Sequence, residues 1–453
     1  MGCRTAIVGT LLLLAALLPC CSGETPRPFL LLLTVDTLRA DRLASYGAEI
    51  TPAPHLDSLL EASEVFRFAY SPAPYTLPSV AALLTGRYPE ELGVRGNVSR
   101  VGSDFATVAG VLRLHGWRTA ATVSNYVLRS GGGFERGFEV YDASFPQLEA
   151  NREMPERIAA DTTDAALAVV DPLLASTDPI FLWVHYQDPH GPYLPPPGRR
   201  ERYLEAERTR ADGERALPVR HQRGLGAIPL YQYVEGQREP AFYRAGYDGE
   251  VSYLDDQIQR LLQGLGTRGL LTQATIVFTA DHGEALGEGD YWFAHGEYLS
   301  DPQVRVPLAI RVPGRGGAVR SDPASLVDVF PTLLGLAGIA VPPGYPGRDL
   351  LAEGAEAATP EIYLATLGGS TVPRFGLVSG GYKYLVNEEP EGPREELDRL
   401  EGLAPQGADP ELSAMRERLE HFRSGLSLSA REQTRAISAA ERERLRQLGY
   451  LSD

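Results

Sequence analysis

The chain has 453 residues, 43% of them hydrophobic, with a formal net charge of −16 and a pI of about 5.1. That length and apolar content support a large buried core, with one large domain plus a smaller one, and exclude global disorder. No positive footprint exists at the whole-chain level, which argues against a nucleic-acid partner. The acidic surplus serves solubility and leaves some carboxylates available to bind a cation.

Arg4, an apolar run over 6–18 and Pro19-Cys20-Cys21-Ser22-Gly23 form a signal-peptide pattern too short to span a bilayer. Leu18-Pro19-Cys20-Cys21 loosely matches a bacterial lipobox, with Cys21 as the lipidated residue; Pro19 fits it poorly, and plain cleavage is the alternative. The leader, 1–21, therefore predicts export to the periplasm or outer surface, with a lipid anchor in a bacterial membrane. At most one cysteine remains after cleavage, so the mature chain forms no internal disulfide. No later stretch is long and apolar enough to span a membrane.

The run 29–35 is apolar except for Thr34 and reads as a strand buried on both faces. Helices are predicted over 54–62, over 76–84 with Pro78 in the first turn, and over 105–114. A strand over 119–124, a helix over 158–170 and a strand over 180–185 follow. The stretch 198–240 is rich in Arg, Glu and Gly with weak periodicity and reads as an inserted surface excursion near the site mouth. Beyond it come a helix over 243–262 and strands over 274–279 and 304–312. This alternation predicts an α/β fold, a large mostly parallel sheet flanked by helices, over 27–360. From 361 the pattern changes to short strands around Gly380-Gly381, then a charged helical tail: a smaller C-terminal subdomain over 361–453.

Three predicted strands end in polar clusters, where open α/β sheets bind ligands. They are Asp36-Thr37-Leu38-Arg39-Ala40-Asp41, then His185-Tyr186-Gln187-Asp188-Pro189-His190, then Asp281-His282-Gly283-Glu284. His295 follows shortly after the third. Thr76 opens a helix, where free N–H groups favour an anion. A hydroxyl there touching a metal would become a nucleophile by losing its proton, although on local sequence alone simple helix capping is the better explanation. Arg39 and Asp41 read as an ion pair, Arg87 and Asp188 as structural, His185 as structural or supporting, and Glu284 as a surface residue rather than a ligand for a second metal.

Taken in order, "LTVDTLRADRLASYG", "TLPSVAALLTGRYP", "VHYQDPHGPY", "YDGEVSYLDDQI" and "FTADHGEALGE…AHG…RVPLAIRVPG" resemble the sulfatase-like family of the alkaline phosphatase superfamily. The terminal "ERERLRQLGYL" is similar to tails of bacterial members. The resemblance covers the chain from Phe29 onward and is weakest over 198–240. It implies an alkaline-phosphatase-like fold and a metal-dependent ester hydrolase or transferase.

Carried over residue by residue, the resemblance implies metal ligands at Asp36, Thr76, Asp281 and His282, with Thr76 also at the nucleophile position. His190 matches a substrate-side histidine, and His295 stands where true sulfatases often carry lysine. Departures accompany these matches: Thr37 replaces a second aspartate, Val80 an arginine, and His282 an asparagine. Formylglycine is made from Cys or Ser, not from Thr76, and Lys383, the only lysine in the chain, lies outside the motifs. The remaining set resembles phosphoglycerol transferases, nucleotide phosphodiesterases and phosphonate ester hydrolases. It implies a small-molecule, glycan or lipid ester as partner, phosphate preferred, with sulfate ester hydrolysis and non-catalytic binding of an anionic glycan or lipid as alternatives. One divalent ion is expected, manganese or zinc ahead of calcium, because an imidazole joins the oxygens.

Overall fold

The computed structural model describes residues 27–148, 155–211, 213–220, 224–355, 360–366, 372–401, 403, 410–428, 434, 438 and 439. The leader with Cys20 and Cys21, and the terminal run from 440, lie outside the described residues.

Eight strands form the main sheet: β1 (Phe29–Val35), β2 (Glu64–Phe66), β3 (Arg118–Val123), β4 (Val140–Asp142), β5 (Ile180–Tyr186), β6 (Ala274–Ala280), β7 (Leu308–Arg311) and β8 (Ala318–Arg320). Their spatial order is β8-β2-β7-β6-β1-β5-β3-β4. β1 lies between β6 and β5, parallel to both, and every one of its residues is buried. Its aliphatic run is what a strand covered on both faces requires.

The register decides where the polar clusters meet. Val35 pairs with Ala280 on one side and Tyr186 on the other. Asp36 N–H then donates to Tyr186 O at 2.8 Å, and Asp281 N–H to Val35 O at 3.1 Å. The residues just past three adjacent strands thus share one rim of the sheet.

The principal helices are α1 (Pro54–Glu61), α2 (Thr76–Thr85), α3 (Val108–Leu114), α4 (Ala159–Val170), α5 (Glu201–Arg210), α6 (Pro240–Thr267), α7 (Val329–Leu336) and α8 (Leu412–Gly425). α2 is buried along its whole length. It stops at Gly86, whose φ of 66° is left-handed and whose Cα faces Phe330 so closely that an added Cβ would stand 2.9 Å from the ring.

Two predicted elements need correction. The strand over 304–312 is two pieces, Arg305–Val306 and β7, because Pro307 has no N–H to continue a ladder. β7 also runs antiparallel to both its neighbours, β6 and β2, while the other five pairings of the sheet are parallel, so the sheet is mostly parallel as expected. The excursion over 198–240 is not confined to the surface. It carries α5, and its Gln232 is fully buried.

A four-stranded antiparallel sheet follows, β9 (Ile362–Thr366), β10 (Arg374–Ser379), β11 (Tyr382–Glu389) and β12 (Gly392–Arg399). Gly380 and Gly381, at φ of 59° and 90°, make its central turn. The sheet docks beside the main one through Ala365 N–H to Pro72 O at 2.9 Å and Lys383 Nζ to Asp301 Oδ1 at 2.6 Å.

Candidate functional site

At the shared rim, Asp36 and Asp281 are fully buried, and Asp36 Oδ1 and Asp281 Oδ2 have no hydrogen-bond partner. His282 Nε2 lies 3.6 Å from each of these two oxygens. Its Nδ1 is 2.9 Å from Gly283 O, and a carbonyl can only accept, so Nδ1 carries the proton and Nε2 presents a lone pair. Thr76 Oγ1 lies 3.3 Å from the same Nε2. The four residues marked as ligands by sequence therefore converge on one point.

Each is held by its neighbours. The other oxygen of Asp36 accepts from Asn125 Nδ2, and the other oxygen of Asp281 accepts from Thr37 N–H at 3.2 Å and His282 N–H at 2.7 Å. Thr37 takes a left-handed φ of 55°, rare for a β-branched residue, and Tyr247 of α6 pins it by donating to Thr37 O at 2.8 Å. Ser79 Oγ donates to Asp281 O at 2.5 Å, fixing α2 against the third cluster. Thr76 is the first residue of α2 and makes no side-chain cap, so the capping explanation does not account for it.

The electrostatics fit a cation. Burial opposes the charge on Asp36, yet His190, His185 and His282 around it hold its carboxyl below the usual range. Burial, then the charge of Asp36, pushes Asp281 well above it. Burial, then His295, pushes His282 down to about 3, which keeps its imidazole neutral. Two facing carboxylates, a neutral imidazole nitrogen and a hydroxyl are a donor set for a divalent ion, which removes the conflict between the two aspartates.

His185 is closer to this chemistry than expected. Its Nε2 has no hydrogen-bond partner and lies 3.8 Å from Asp36 Oδ2. Ligand atoms of Asp36, His185 and Asp281 fall within 4.8 Å of one another, a candidate metal site in their own right. The ring is held by Thr34 Oγ1, 2.9 Å from Nδ1, which Trp183 Nε1 also reaches at 2.9 Å.

Glu284 also departs from expectation: it is fully buried rather than on the surface. One oxygen lies 3.1 Å from His295 Nδ1, and burial raises its carboxyl to about 7. The ring of His295 is 4.5 Å from that of His282 and 5.2 Å from that of His190. Arg39 pairs with Asp41 as expected, at 2.5 Å, and with Glu288 at 2.8 Å. Arg87 pairs with Glu91 and stacks on Tyr345, away from this chemistry.

Asn97 and Asn125 were not singled out by sequence, since asparagine in loops usually reports only turns. Asn97 Oδ1 accepts from Leu77 N–H at 3.0 Å, next to Thr76, and its Nδ2 is buried without a partner.

The family model described as Sulfatase matches residues 28–339. The choline-sulfatase of Rhizobium meliloti is 27% identical over 415 residues, covering 80% of this chain and 78% of that protein. In fold the chain is similar to Ps i-CgsB, solved in complex with k-i-k-neocarrahexaose (TM-score 0.68, 19% identity, 93% of this chain and 97% of that one). It is likewise similar to the phosphonate monoester hydrolase of Agrobacterium radiobacter (TM-score 0.66, 19% identity, 88% and 95%).

Proposed function

Since the chain belongs to the sulfatase family, within the alkaline-phosphatase-like superfamily, we propose that it is an exported, metal-dependent ester hydrolase or transferase with Thr76 as nucleophile and phosphate-type esters preferred. The observation that carries this reading is Thr76 Oγ1 beside His282 Nε2, facing the unpartnered oxygens of Asp36 and Asp281.

Asp36, Thr76, Asp281 and His282 are the residues that would hold the ion, with His185 at hand. Bound there, a divalent ion supplies Lewis acidity, lowering the pKa of a neighbouring hydroxyl and drawing charge from ester oxygens. Thr76 gives its hydroxyl proton to solvent as its Oγ attacks phosphorus, the bond to the departing alcohol breaks, and His190 or His295 gives that oxygen a proton. The phospho-threonine so formed is released when water, or a second alcohol, attacks phosphorus and returns the hydroxyl to Thr76. Asn97 Nδ2, fixed by its partner at Leu77, is placed to donate to a non-bridging oxygen of the ester.

Phosphate is favoured over sulfate because Thr76 is no precursor of formylglycine and Lys383 is committed to Asp301, far from the motifs in sequence. Sulfate esters are the second reading, supported by the naming of relatives such as choline-sulfatase. Purified protein assayed on matched nitrophenyl phosphate, phosphodiester, phosphonate and sulfate esters, with and without a chelator, separates them. Fastest turnover of aryl sulfate would reverse the preference, and no turnover of any ester would leave an anionic glycan or lipid binder.

A further inference from the structure

Asp36 and Asp281 follow paired residues of neighbouring strands, Val35 and Ala280, and without an ion their charges repel. The turn Thr37-Leu38-Arg39 holds the two segments together against that repulsion. Thr37 N–H donates to Asp281 Oδ1 at 3.2 Å, and Arg39 Nη1 donates to Glu284 O at 3.1 Å. The turn that leaves Asp36 is thus fastened twice to the segment that carries Asp281 and His282.

That turn needs support from outside itself. Thr37 has a left-handed φ of 55°, which a β-branched side chain opposes, and its Oγ1 is buried without a hydrogen-bond partner. The side chain therefore offsets none of the strain, and the backbone has to be held by a neighbour. Tyr247 does this with one hydroxyl. It donates to Thr37 O at 2.8 Å and accepts from Arg39 N–H at 2.9 Å, closing a bridge around the buried Leu38.

Tyr247 is in turn fixed by its surroundings. It is fully buried in α6, and its ring packs edge-on to that of Tyr193 at 5.5 Å. Asp248, the next residue of the helix, accepts from Arg42 Nε at 2.7 Å. One rigid helix therefore grips residues 37, 39 and 42 of the loop after β1.

We propose that Tyr247 is a positioning residue for the ion: its hydroxyl keeps Thr37 left-handed and so sets the geometry of Asp36 and Asp281 before the ion binds. The proposal rests on the reading above, in which those two carboxylates hold a divalent ion. Groups that orient metal ligands in this way contribute about 10- to 100-fold in metal affinity.

The test titrates manganese, and zinc in parallel, into the metal-free chain and reads the heat of binding. Tyr247→Phe keeps the ring and removes only the hydroxyl, and its Kd should rise about 10- to 100-fold. Tyr243→Phe is the control. Its hydroxyl, one turn earlier in α6, also accepts from a backbone N–H, that of Val234 at 3.1 Å, and donates to a carbonyl, that of Gln237 at 3.0 Å, but both partners lie in the excursion. This variant should bind the ion as wild type does. Glycine takes a positive φ without strain, so in the Thr37→Gly background Tyr247→Phe should cost only a small fraction of its effect in wild type.

Equal Kd for Tyr247→Phe and wild type, or an equal rise in both tyrosine variants, overturns the proposal and leaves the metal site standing. So does a loss that persists undiminished in the Thr37→Gly background. If wild type takes up no manganese, zinc or calcium, the metal reading fails and the proposal falls with it. Should Tyr247→Phe not fold, hydrogen exchange in wild type decides. The amides of Thr37 and Arg39 should be as protected in metal-free protein as in loaded protein. Rapid exchange that slows only when the ion is added overturns the proposal, because the ion rather than Tyr247 then orders the turn.

Discussion

Thr76 Oγ1 and His282 Nε2 stand 3.3 Å apart although 206 positions separate the two residues in the chain. The contact is imposed by the fold: α2 begins at Thr76, and Ser79 one turn on is bonded to the backbone of Asp281. Because Thr76 caps nothing, replacing it removes chemistry and little stability.

Thr76→Ala should therefore keep its unfolding free energy within about 1 kcal/mol of wild type, less than a lost cap would cost, and lose several orders of magnitude in kcat. Thr76→Ser keeps the hydroxyl and should retain measurable turnover. Trapped intermediate mapped by peptide mass should place the label on Thr76. Normal turnover by Thr76→Ala, or a label elsewhere, refutes the mechanism.

Metal should govern stability in a pH-dependent way. In ion-free protein, Asp281 and Glu284 have folded pKa values raised above their unfolded ones. The folded state then holds protons that the unfolded state has released, so stability falls as pH rises from the usual carboxylate range toward and beyond 7. Asp188, raised to about 7 by burial, adds to the trend without involving the ion. Manganese or zinc at about 100 times its Kd should return about 2.7 kcal/mol at neutral pH, read as a melting shift in wild type that Asp281→Ala lacks. An equal shift in both proteins places the ion elsewhere, while calcium as the tightest ligand would change only the choice of ion.

Much of the site was legible because the strands that build it are locally explicit. β1 falls on the predicted 29–35, and the helix predicted to open at Thr76 does so. Asp36, Asp281 and His282 follow from where those aliphatic runs end. Burial of Glu284 was not legible: it depends on the chain folding back to bring His295, 11 residues on, against it, and on Tyr193 arriving from beyond β5. The nearness of His185 to Asp36 follows from β1 and β5 being neighbours in one register, which no local pattern encodes. Gln232 lies in a segment of weak periodicity, which carries no signal for its burial.

From the leader pattern over 1–21 we propose attachment to a bacterial membrane. Cell fractionation should find the protein processed and membrane-associated, with Cys21→Ser processed differently and released. If Cys21→Ser remains equally membrane-bound after cleavage, the lipid anchor is wrong; uncleaved protein in the cytoplasm would end the export reading.

Lys383 gives an asymmetric prediction. Its side chain is 3% exposed and its Nζ is bonded to Asp301, whose side chain is 39% exposed. Asp301 opens the one-turn helix Asp301–Val304, and Pro302 O in that turn lies against Gly283, where an added Cβ would stand 2.0 Å from it. The pair therefore ties the C-terminal sheet to the turn that carries His282. Removing the lysine leaves a carboxylate that water can still reach, so Lys383→Met, which keeps the apolar stem, should cost no more than about 1 kcal/mol. Removing the aspartate leaves a buried ammonium without its counter-ion, so Asp301→Leu should cost about 3 kcal/mol. The double variant should lie near Lys383→Met, because the stranded charge has gone. Urea unfolding of the three proteins measures all of this. A cost for Lys383→Met equal to or above that of Asp301→Leu would show that the ion pair itself, rather than the burial of one charge, anchors the C-terminal sheet.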